Sequence, residues 1–149
     1  MVVDFKFKRA PSYRLATFAW SGPWKDARIR SEFEKVAAWA ARRGLKTGKW
    51  VFLEPSQRHF VVGIEVKGKA RGEGPIHLRT LPAARVASVV YDPEVVSPRV
   101  IYHGLSDWLR WRRKDGEIRG VGQYREVYDG NPWTNARAWA HSDIQTVVR

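Results

Sequence analysis

The sequence carries two copies of one unit, and this duplication constrains the fold more than any other feature. Residues 11–17 (PSYRLAT) resemble residues 82–88 (PAARVAS), at an offset of 71. Each copy follows an alternating segment and precedes a helical pattern. The two helical patterns align at an offset of 69, with Phe33, Val36 and Trp39 equivalent to Tyr102, Leu105 and Trp108. We therefore predict two units of roughly 70 residues with the same elements in the same order.

A short linker joins the two units. Residues 67–75 (KGKARGEGP) contain three Gly, one Pro and four charged residues, a composition typical of a loop. This linker is too short to separate independent domains, and 149 residues that are 44% hydrophobic suffice for one shared core. We predict a single domain over 1–149, with repeat one at about 1–66 and repeat two at about 76–149.

Each unit is predicted to contain two strands, a helix and two further strands. Alternating, β-branched segments predict strands, and apolar spacings of three and four predict helices. The predicted strands cover 3–8, 14–20, 49–53 and 60–66 in the first unit and 76–80, 85–91, 122–128 and 141–148 in the second. The predicted helices begin at Pro23 and Pro98 and end before Gly44 and Gly116, because proline favours a first helical turn and glycine a helix end.

Several chemistries are excluded by residues that the sequence lacks. It has no cysteine, which excludes disulfides, thiolate metal sites and cysteine catalysis. Its four histidines have no partner at metal-ligating spacing, and no hydrolase elbow, Walker loop or dinucleotide fingerprint occurs. No apolar run reaches about 18 residues, and the N-terminal residues do not resemble a signal peptide. We expect no metal, no cofactor, no membrane partner and a cytoplasmic location.

The charge of the chain indicates another kind of partner. The formal net charge is +12, and residues 110–114 (RWRRK) interleave a tryptophan with cations, a pattern that suits phosphates and stacked bases. The same run ends a predicted helix, where the helix dipole favours cations. Nucleic acid therefore stays an alternative partner, to be tested by whether duplex binding weakens steeply with salt. The purpose of the net charge is left open.

Four segments in the same order resemble the GyrI-like domain family, which includes the effector-binding half of AraC-type and BmrR-type transcription regulators. They are residues 20–24 (WSGPW), 81–87 (LPAARVA), 126–132 (EVYDGNP) and 142–148 (SDIQTVV). The resemblance covers nearly the whole chain. It departs from the family pattern at Arg125, where a tyrosine is common, and at residues 91–95 (YDPEV), which replace a Gly-Pro-aromatic motif.

The resemblance implies an α+β fold of two tandem βαββ-type repeats with pseudo-twofold symmetry. The strands would form a curved antiparallel sheet with helices on one face and a ligand cleft on the other. It also implies that Glu126 lies in the cleft as a polar contact for a lipophilic or cationic molecule. Since the first strand starts close to Met1, we expect the stand-alone form of the domain.

The residues around Glu126 give this expectation a chemical basis. Strand alternation places Tyr124 and Tyr128 on the same face as Glu126. A carboxylate between two phenols in an apolar cleft attracts cations, and desolvation raises its pKa. If the protein is an enzyme, Glu126 and Tyr128 are the candidate catalytic residues. The alternative is an exposed strand glutamate paired with a lysine or arginine.

The aromatic residues divide into core and cleft candidates. Trp39 and Trp108, at equivalent helix positions, are assigned to packing. Aromatic rings on cleft-facing strands and at the first helix start suit a planar or cationic ligand. The further ligand-binding candidates are Trp20, Trp24, Trp50, Phe52 and Tyr91. Trp133 and Trp139 are predicted to cap the cleft or, alternatively, to seal the sheet.

The sequence thus predicts a protein that binds a lipophilic, aromatic or cationic small molecule for sensing, sequestration or toxin resistance. One alternative is a hydrolase that acts on reactive cyclopropane-type genotoxic compounds in the same cleft. Another is a basic protein that interacts with DNA or a DNA enzyme. A non-catalytic role is favoured over an enzyme. Ligand identity and oligomeric state are left open.

Overall fold

The computed structural model describes residues 3–149 and contains every helix and strand that the sequence predicts. The order in the chain is β1 (Lys6–Ala10), β2 (Tyr13–Ser21), α1 (Asp26–Arg42), β3 (Lys46–Ser56), β4 (His59–Lys67), β5 (His77–Leu81), β6 (Ala84–Tyr91), α2 (Pro98–Lys114), β7 (Val121–Tyr128), α3 (Ala136–Ala140) and β8 (Ser142–Val148). The five-residue helix α3 was not predicted. Its cap is Asn135, whose side chain accepts hydrogen bonds from the backbone of Arg137 and Ala138.

The eight strands form one antiparallel sheet in the order β1-β6-β8-β7-β3-β4-β2-β5. The predicted α+β class and its antiparallel sheet are confirmed. The two repeats meet at the central β3–β7 pair, and each lends its first strand to the other, since β1 pairs with β6 and β5 pairs with β2. This exchange gives the two repeats one continuous sheet and one shared body. The numerical division of the chain at residues 66 and 76 stays a prediction.

Two short connections containing proline require the sheet to curve. Residues 11–12 join β1 to β2, and residues 82–83 join β5 to β6, although each connection links strands at opposite ends of the sheet order. Three residue steps span at most about 11 Å, so Ala10 and Tyr13 hold the two ends of the sheet close together. The repeated proline segments of the sequence are these two crossovers.

Both long helices cover the same face of the sheet. Phe33, Val36 and Trp39 of α1 pack in one buried cluster with Phe52 of β3, and α2 packs in a second cluster with β6, β8 and Tyr124 of β7. Phe52 pairs with Glu126 across the central strands, and Tyr124 shares the face of Glu126 by alternation. The opposite face, which we call the helix-free face, carries a third buried cluster that includes Leu53 and Val127.

The first helix begins later than predicted. It starts at Asp26, three positions after Pro23, and the residues between are not helical. Gly22 has a φ of 145°, a positive value that favours glycine. The Trp24 indole Nε1 donates to Asp26 Oδ1 at 2.7 Å, at the first residue of the helix. In residues 3–149, no helix is long and apolar enough to cross a membrane.

Candidate ligand-binding cavity between the two helices

A cavity of about 360 Å³ lies between α1, α2 and the sheet, beneath the segment that leads to α3. Its walls are mainly aromatic, and two carboxylates face it. The lining residues are Trp24, Asp26, Ile29, Phe33, Phe52, Tyr91, Pro98, Tyr102, Glu126, Tyr128, Trp133 and Trp139. Its volume falls in the range typical of small-molecule sites in proteins.

The position of this cavity corrects one expectation. The resemblance placed the cleft on the face opposite the helices, but Glu126 faces the helices and lies between them. The physical reason is the spacing of α1 and α2. Each helix packs on its own half of the sheet, and the space between them lies over the central strands at Phe52 and Glu126.

Glu126 forms the polar floor of the cavity. It lies in the middle of β7, flanked by Phe52 on β3 and Ile144 on β8. The Tyr102 hydroxyl donates to Glu126 Oε1 at 3.0 Å, and the Tyr128 hydroxyl donates to the same oxygen at 3.3 Å. Among residues 3–149, no side chain donates a hydrogen bond to the second oxygen, Oε2. Glu126 therefore has an oxygen left to accept a bond from a ligand.

Burial among protein atoms raises the pKa of Glu126 to about 7, and the hydrogen bonds from Tyr102 and Tyr128 oppose this shift. The side chain is deep in the protein, yet part of its surface faces the cavity. None of the ion pairs formed within residues 3–149 involves Glu126. The carboxylate has no internal cation to compensate its charge, so it changes protonation near neutral pH.

Four tyrosines surround this carboxylate and stay neutral at physiological pH. Burial and the charge of Glu126 raise the pKa of Tyr91 to about 12. The same two causes raise the pKa values of Tyr102, Tyr124 and Tyr128 further above the ordinary value. Neutral phenols are hydrogen-bond donors, so they stabilise the ionised form of Glu126 without neutralising its charge.

Most of the sequence-predicted ligand-binding residues lie at this cavity. Glu126, Tyr128, Phe52, Trp24 and Tyr91 line it directly. Tyr124 lines an adjoining pocket of about 250 Å³ together with Trp24, Glu54 and Tyr102. The Tyr124 hydroxyl is buried there without a hydrogen-bond partner in the described part of the chain.

Two predicted cleft residues lie in the core instead. Trp50 is 6% exposed and stacks on Phe33, with ring centroids 5.1 Å apart. Trp20 is 9% exposed and packs against Phe60 at 5.6 Å. Both face the helices, and α1 covers the half of the sheet on which they lie. Phe52, two positions further along β3, and Trp24, just before α1, reach the cavity.

The segment between β7 and β8, which includes α3, contributes two aromatic walls. Trp133 and Trp139 both line the cavity, where the sequence placed them as capping residues. The Trp133 ring lies 5.7 Å from Phe33, and the Trp139 indole Nε1 donates to Glu94 Oε1 at 3.0 Å. Trp133 remains 37% exposed, so it lies between the cavity and solvent.

Sequence reasoning missed the contribution of the helices. Tyr102, Asp26, Ile29, Phe33 and Pro98 line the cavity, and Tyr102 makes the shorter of the two hydrogen bonds to Glu126. A signal for Tyr102 was present in the alignment of the repeats. Where the first helix has Phe33, the second has a tyrosine, and a buried tyrosine hydroxyl usually has a hydrogen-bond partner.

The basic run lies apart from this cavity, at the C-terminal end of α2. Trp111 is 65% exposed, and Arg112 pairs with Asp115 and Glu117. The nucleic-acid interpretation of this run stays a prediction. In residues 3–149, no cluster of three or more metal-ligating side chains occurs.

Comparisons with known proteins identify solved structures that have the same fold. The sequence matches no family model and no curated protein. The structure resembles the EcmrR C-terminal domain with a TM-score of 0.74 and 18% identity, covering 100% of this chain and 99% of that one. In the EcmrR–DNA complex the TM-score is 0.77 and the identity 16%, and the match covers 99% of this chain and 57% of that one.

Two other solved structures share the fold at lower similarity. SAV2435 bound to tetraphenylphosphonium has a TM-score of 0.56 and 7% identity, with coverage of 98% of this chain and 94% of that one. A hydrolase encoded by lin2189 from Listeria innocua has a TM-score of 0.58 and 8% identity, with coverage of 97% and 91%. The chain therefore has a GyrI-like fold, shared with the EcmrR C-terminal domain.

Proposed function

We propose that the chain binds a lipophilic organic cation in the cavity between its helices, for sensing, sequestration or toxin resistance. The observation that carries this proposal is the state of Glu126. Its side chain is partly buried, and its carboxylate is hydrogen-bonded only through one oxygen and has no ion-pair partner in the described chain. A buried charge without a counter-charge is unfavourable, and a bound cation supplies that counter-charge.

The cavity walls select for a cation that is also apolar. Trp24, Phe52, Trp133 and Trp139 line the cavity together with Glu126. Aromatic faces attract cations electrostatically and bury apolar surface at the same time. A small hydrated metal ion gains little from such walls, whereas an aromatic or alkylated cation fills them. Asp26, exposed at the cavity edge, adds a second negative charge.

The SAV2435 structure supports this class of ligand. That protein shares the fold and is bound to tetraphenylphosphonium, an organic cation with four aromatic rings and no hydrogen-bond donor. Such a molecule is held by charge and ring contacts alone. The cavity of this chain offers the same two kinds of contact.

The experiment is a titration of tetraphenylphosphonium or a cationic rhodamine into the wild-type protein and into Glu126→Gln. We expect the substitution to weaken binding by about 1–3 kcal/mol, the scale of a buried charged contact. The matched control is Glu34→Gln, which removes an exposed carboxylate of α1 that pairs with Arg30 at 2.7 Å. Equal affinity in the wild type and in Glu126→Gln would refute the role of Glu126.

The pKa of Glu126 gives a second function some support. A carboxylate with a pKa near 7 is suited to accept a proton from water, and Tyr128 lies within hydrogen-bond distance of it. One structural neighbour is a hydrolase. The test is incubation with a cyclopropane-bearing electrophile and a search for the hydrated, ring-opened product by mass spectrometry. Product beyond one equivalent, lost in Glu126→Gln, would establish catalysis, and its absence would leave the binding function alone.

A further inference from the structure

The pocket of about 250 Å³ beside the Glu126 cavity has a composition of its own. Three aromatic rings and one carboxylate line it, those of Trp24, Tyr102, Tyr124 and Glu54, and we call it the Glu54 pocket. Trp24 and Tyr102 also line the Glu126 cavity, so the two spaces share a wall. The function proposed above uses the larger space and gives Glu54 no part.

The central strands place Glu54 close to Glu126. Glu54 pairs with Tyr124 across β3 and β7, and Phe52 pairs with Glu126 two positions along. Alternation puts all four residues on the face that carries the helices. Glu54 and Glu126 are therefore diagonal neighbours, a relation that separates two residues by about 7–8 Å. One small ligand can contact both carboxylates at this spacing.

The protein supplies no cation to either carboxylate. Glu54 is half-buried, and none of the ion pairs formed within residues 3–149 involves Glu54 or Glu126. In the same part of the chain, no lysine, arginine or histidine lines either space, although the net charge is +12. When both carboxylates are ionised they repel each other, and a ligand with two positive charges removes that repulsion.

The rings of the Glu54 pocket suit a compact cation. Tyr102 and Tyr124 meet edge to face, with ring centroids 5.7 Å apart. Trp24 is held by its hydrogen bond to Asp26 and by an edge contact with Phe52 at 5.3 Å. Aromatic rings grouped in this way form the cages that recognise quaternary ammonium groups. The smaller space therefore suits an alkylammonium group, and the larger cavity suits the bulky part of the ligand.

We propose that the preferred ligand is a lipophilic dication. One positive charge lies at Glu126, and the second, a compact alkylammonium group, lies in the Glu54 pocket. This inference rests on the proposed function, because both charges belong to one ligand in the joined spaces. Glu54 is then the residue that distinguishes a dication from a monocation, since a monocation held at Glu126 leaves the smaller pocket without a charge.

The experiment measures binding by calorimetry with two probes of the same shape. One is 1,4-bis(trimethylammoniomethyl)benzene, and the other is the same molecule with one quaternary nitrogen replaced by carbon. They differ by one charge, so the ratio of their affinities reports the second carboxylate. We expect the dication to bind about 5- to 10-fold more tightly, the scale of an ion pair that is partly open to solvent.

Glu54→Gln tests the second carboxylate, and tetraphenylphosphonium serves as a third probe. The variant keeps the size of the side chain and removes a carboxylate that has no ion-pair partner, so it should stay folded. We expect it to remove most of the preference for the dication and to weaken the dication more than tetraphenylphosphonium. Glu54→Lys should reverse the preference, and the exposed control Glu34→Gln should retain it. Glu126→Gln should weaken all three probes.

The outcomes separate this inference from the function on which it rests. Equal binding of the two matched probes by the wild-type protein would overturn the dication proposal, and the cation function would stand if tetraphenylphosphonium binding still depends on Glu126. A preference that survives unchanged in Glu54→Gln would also overturn it, because the second charge would then lie elsewhere. If none of the three probes binds, the proposed function fails and the dication proposal fails with it.

Discussion

The affinity for an organic cation should depend on pH through Glu126. Burial raises its pKa to about 7, so lowering the pH from 8 to 5.5 protonates most of the carboxylate in the free protein. A cation that binds only the ionised form must then displace a proton. With a pKa of about 7, the fraction of ionised Glu126 falls about 30-fold over this range, and the apparent affinity falls with it.

The assay is a fluorescence titration with tetraphenylphosphonium, which stays charged at every pH. Trp24, Trp133 and Trp139 line the cavity, so ligand binding should change tryptophan emission. The affinity should rise about tenfold per pH unit below 7 and level off above it. Circular dichroism at each pH checks that the protein remains folded.

The matched control is Glu126→Gln. It keeps every other titratable side chain and removes only the carboxylate of the cavity. We expect its affinity to be low and nearly constant between pH 5.5 and 8. A neutral ligand such as triphenylphosphine oxide should show no such rise. A flat curve in the wild-type protein, or the same slope in Glu126→Gln, would refute the reasoning.

The structure supports three more predictions. Because the pKa of Glu126 rises from 4.5 to about 7 on folding, the ionised carboxylate lowers the free energy of unfolding as pH rises through this window. Glu126→Gln should therefore stabilise the protein by up to about 3 kcal/mol at pH 8 and by little at pH 4, measured by urea unfolding. Tyr102→Phe removes the 3.0 Å bond that favours the ionised form, so the midpoint of the pH-affinity curve should move up by about one pH unit or less. Phe33→Ala should cost about 3–5 kcal/mol of stability because Phe33 is 1% exposed, whereas Trp111→Ala, at a residue 65% exposed, should change the unfolding midpoint little.

The helices and strands were predictable because their signals are local. Alternation along a strand decides which side chains share a face, and it places Glu126 and Tyr128 together on the face where the sheet also has Phe52. The duplicated PSYRLAT and PAARVAS segments are visible as repeats in the sequence. Their role as crossovers between the ends of one curved sheet is not visible there, because strand order depends on pairing between distant segments.

Which side chains line the cavity also depended on packing between distant parts of the chain. Trp20 and Trp50 carry the sequence pattern of cleft aromatics, but α1 covers them. Tyr102 carries the pattern of a helix-core residue, yet it donates to Glu126, which is 24 positions away in the chain. Periodicity indicates that a side chain faces inward, and it does not indicate whether that interior is filled by a neighbour or left open.

The sequence by itself determined the elements, the duplication and the chemistry of Glu126 among tyrosines, since these follow from residue types at short spacing. The tertiary structure alone decided on which face the cavity lies, which rings line it, and how far burial raises the pKa of Glu126. It also placed Arg125 beside Gln145 on the helix-free face, where Arg125 Nε and Nη1 and Gln145 Oε1 are buried without hydrogen-bond partners. Desolvation is the physical reason for this division, because it depends on every atom packed around a group and on few of its neighbours in the chain.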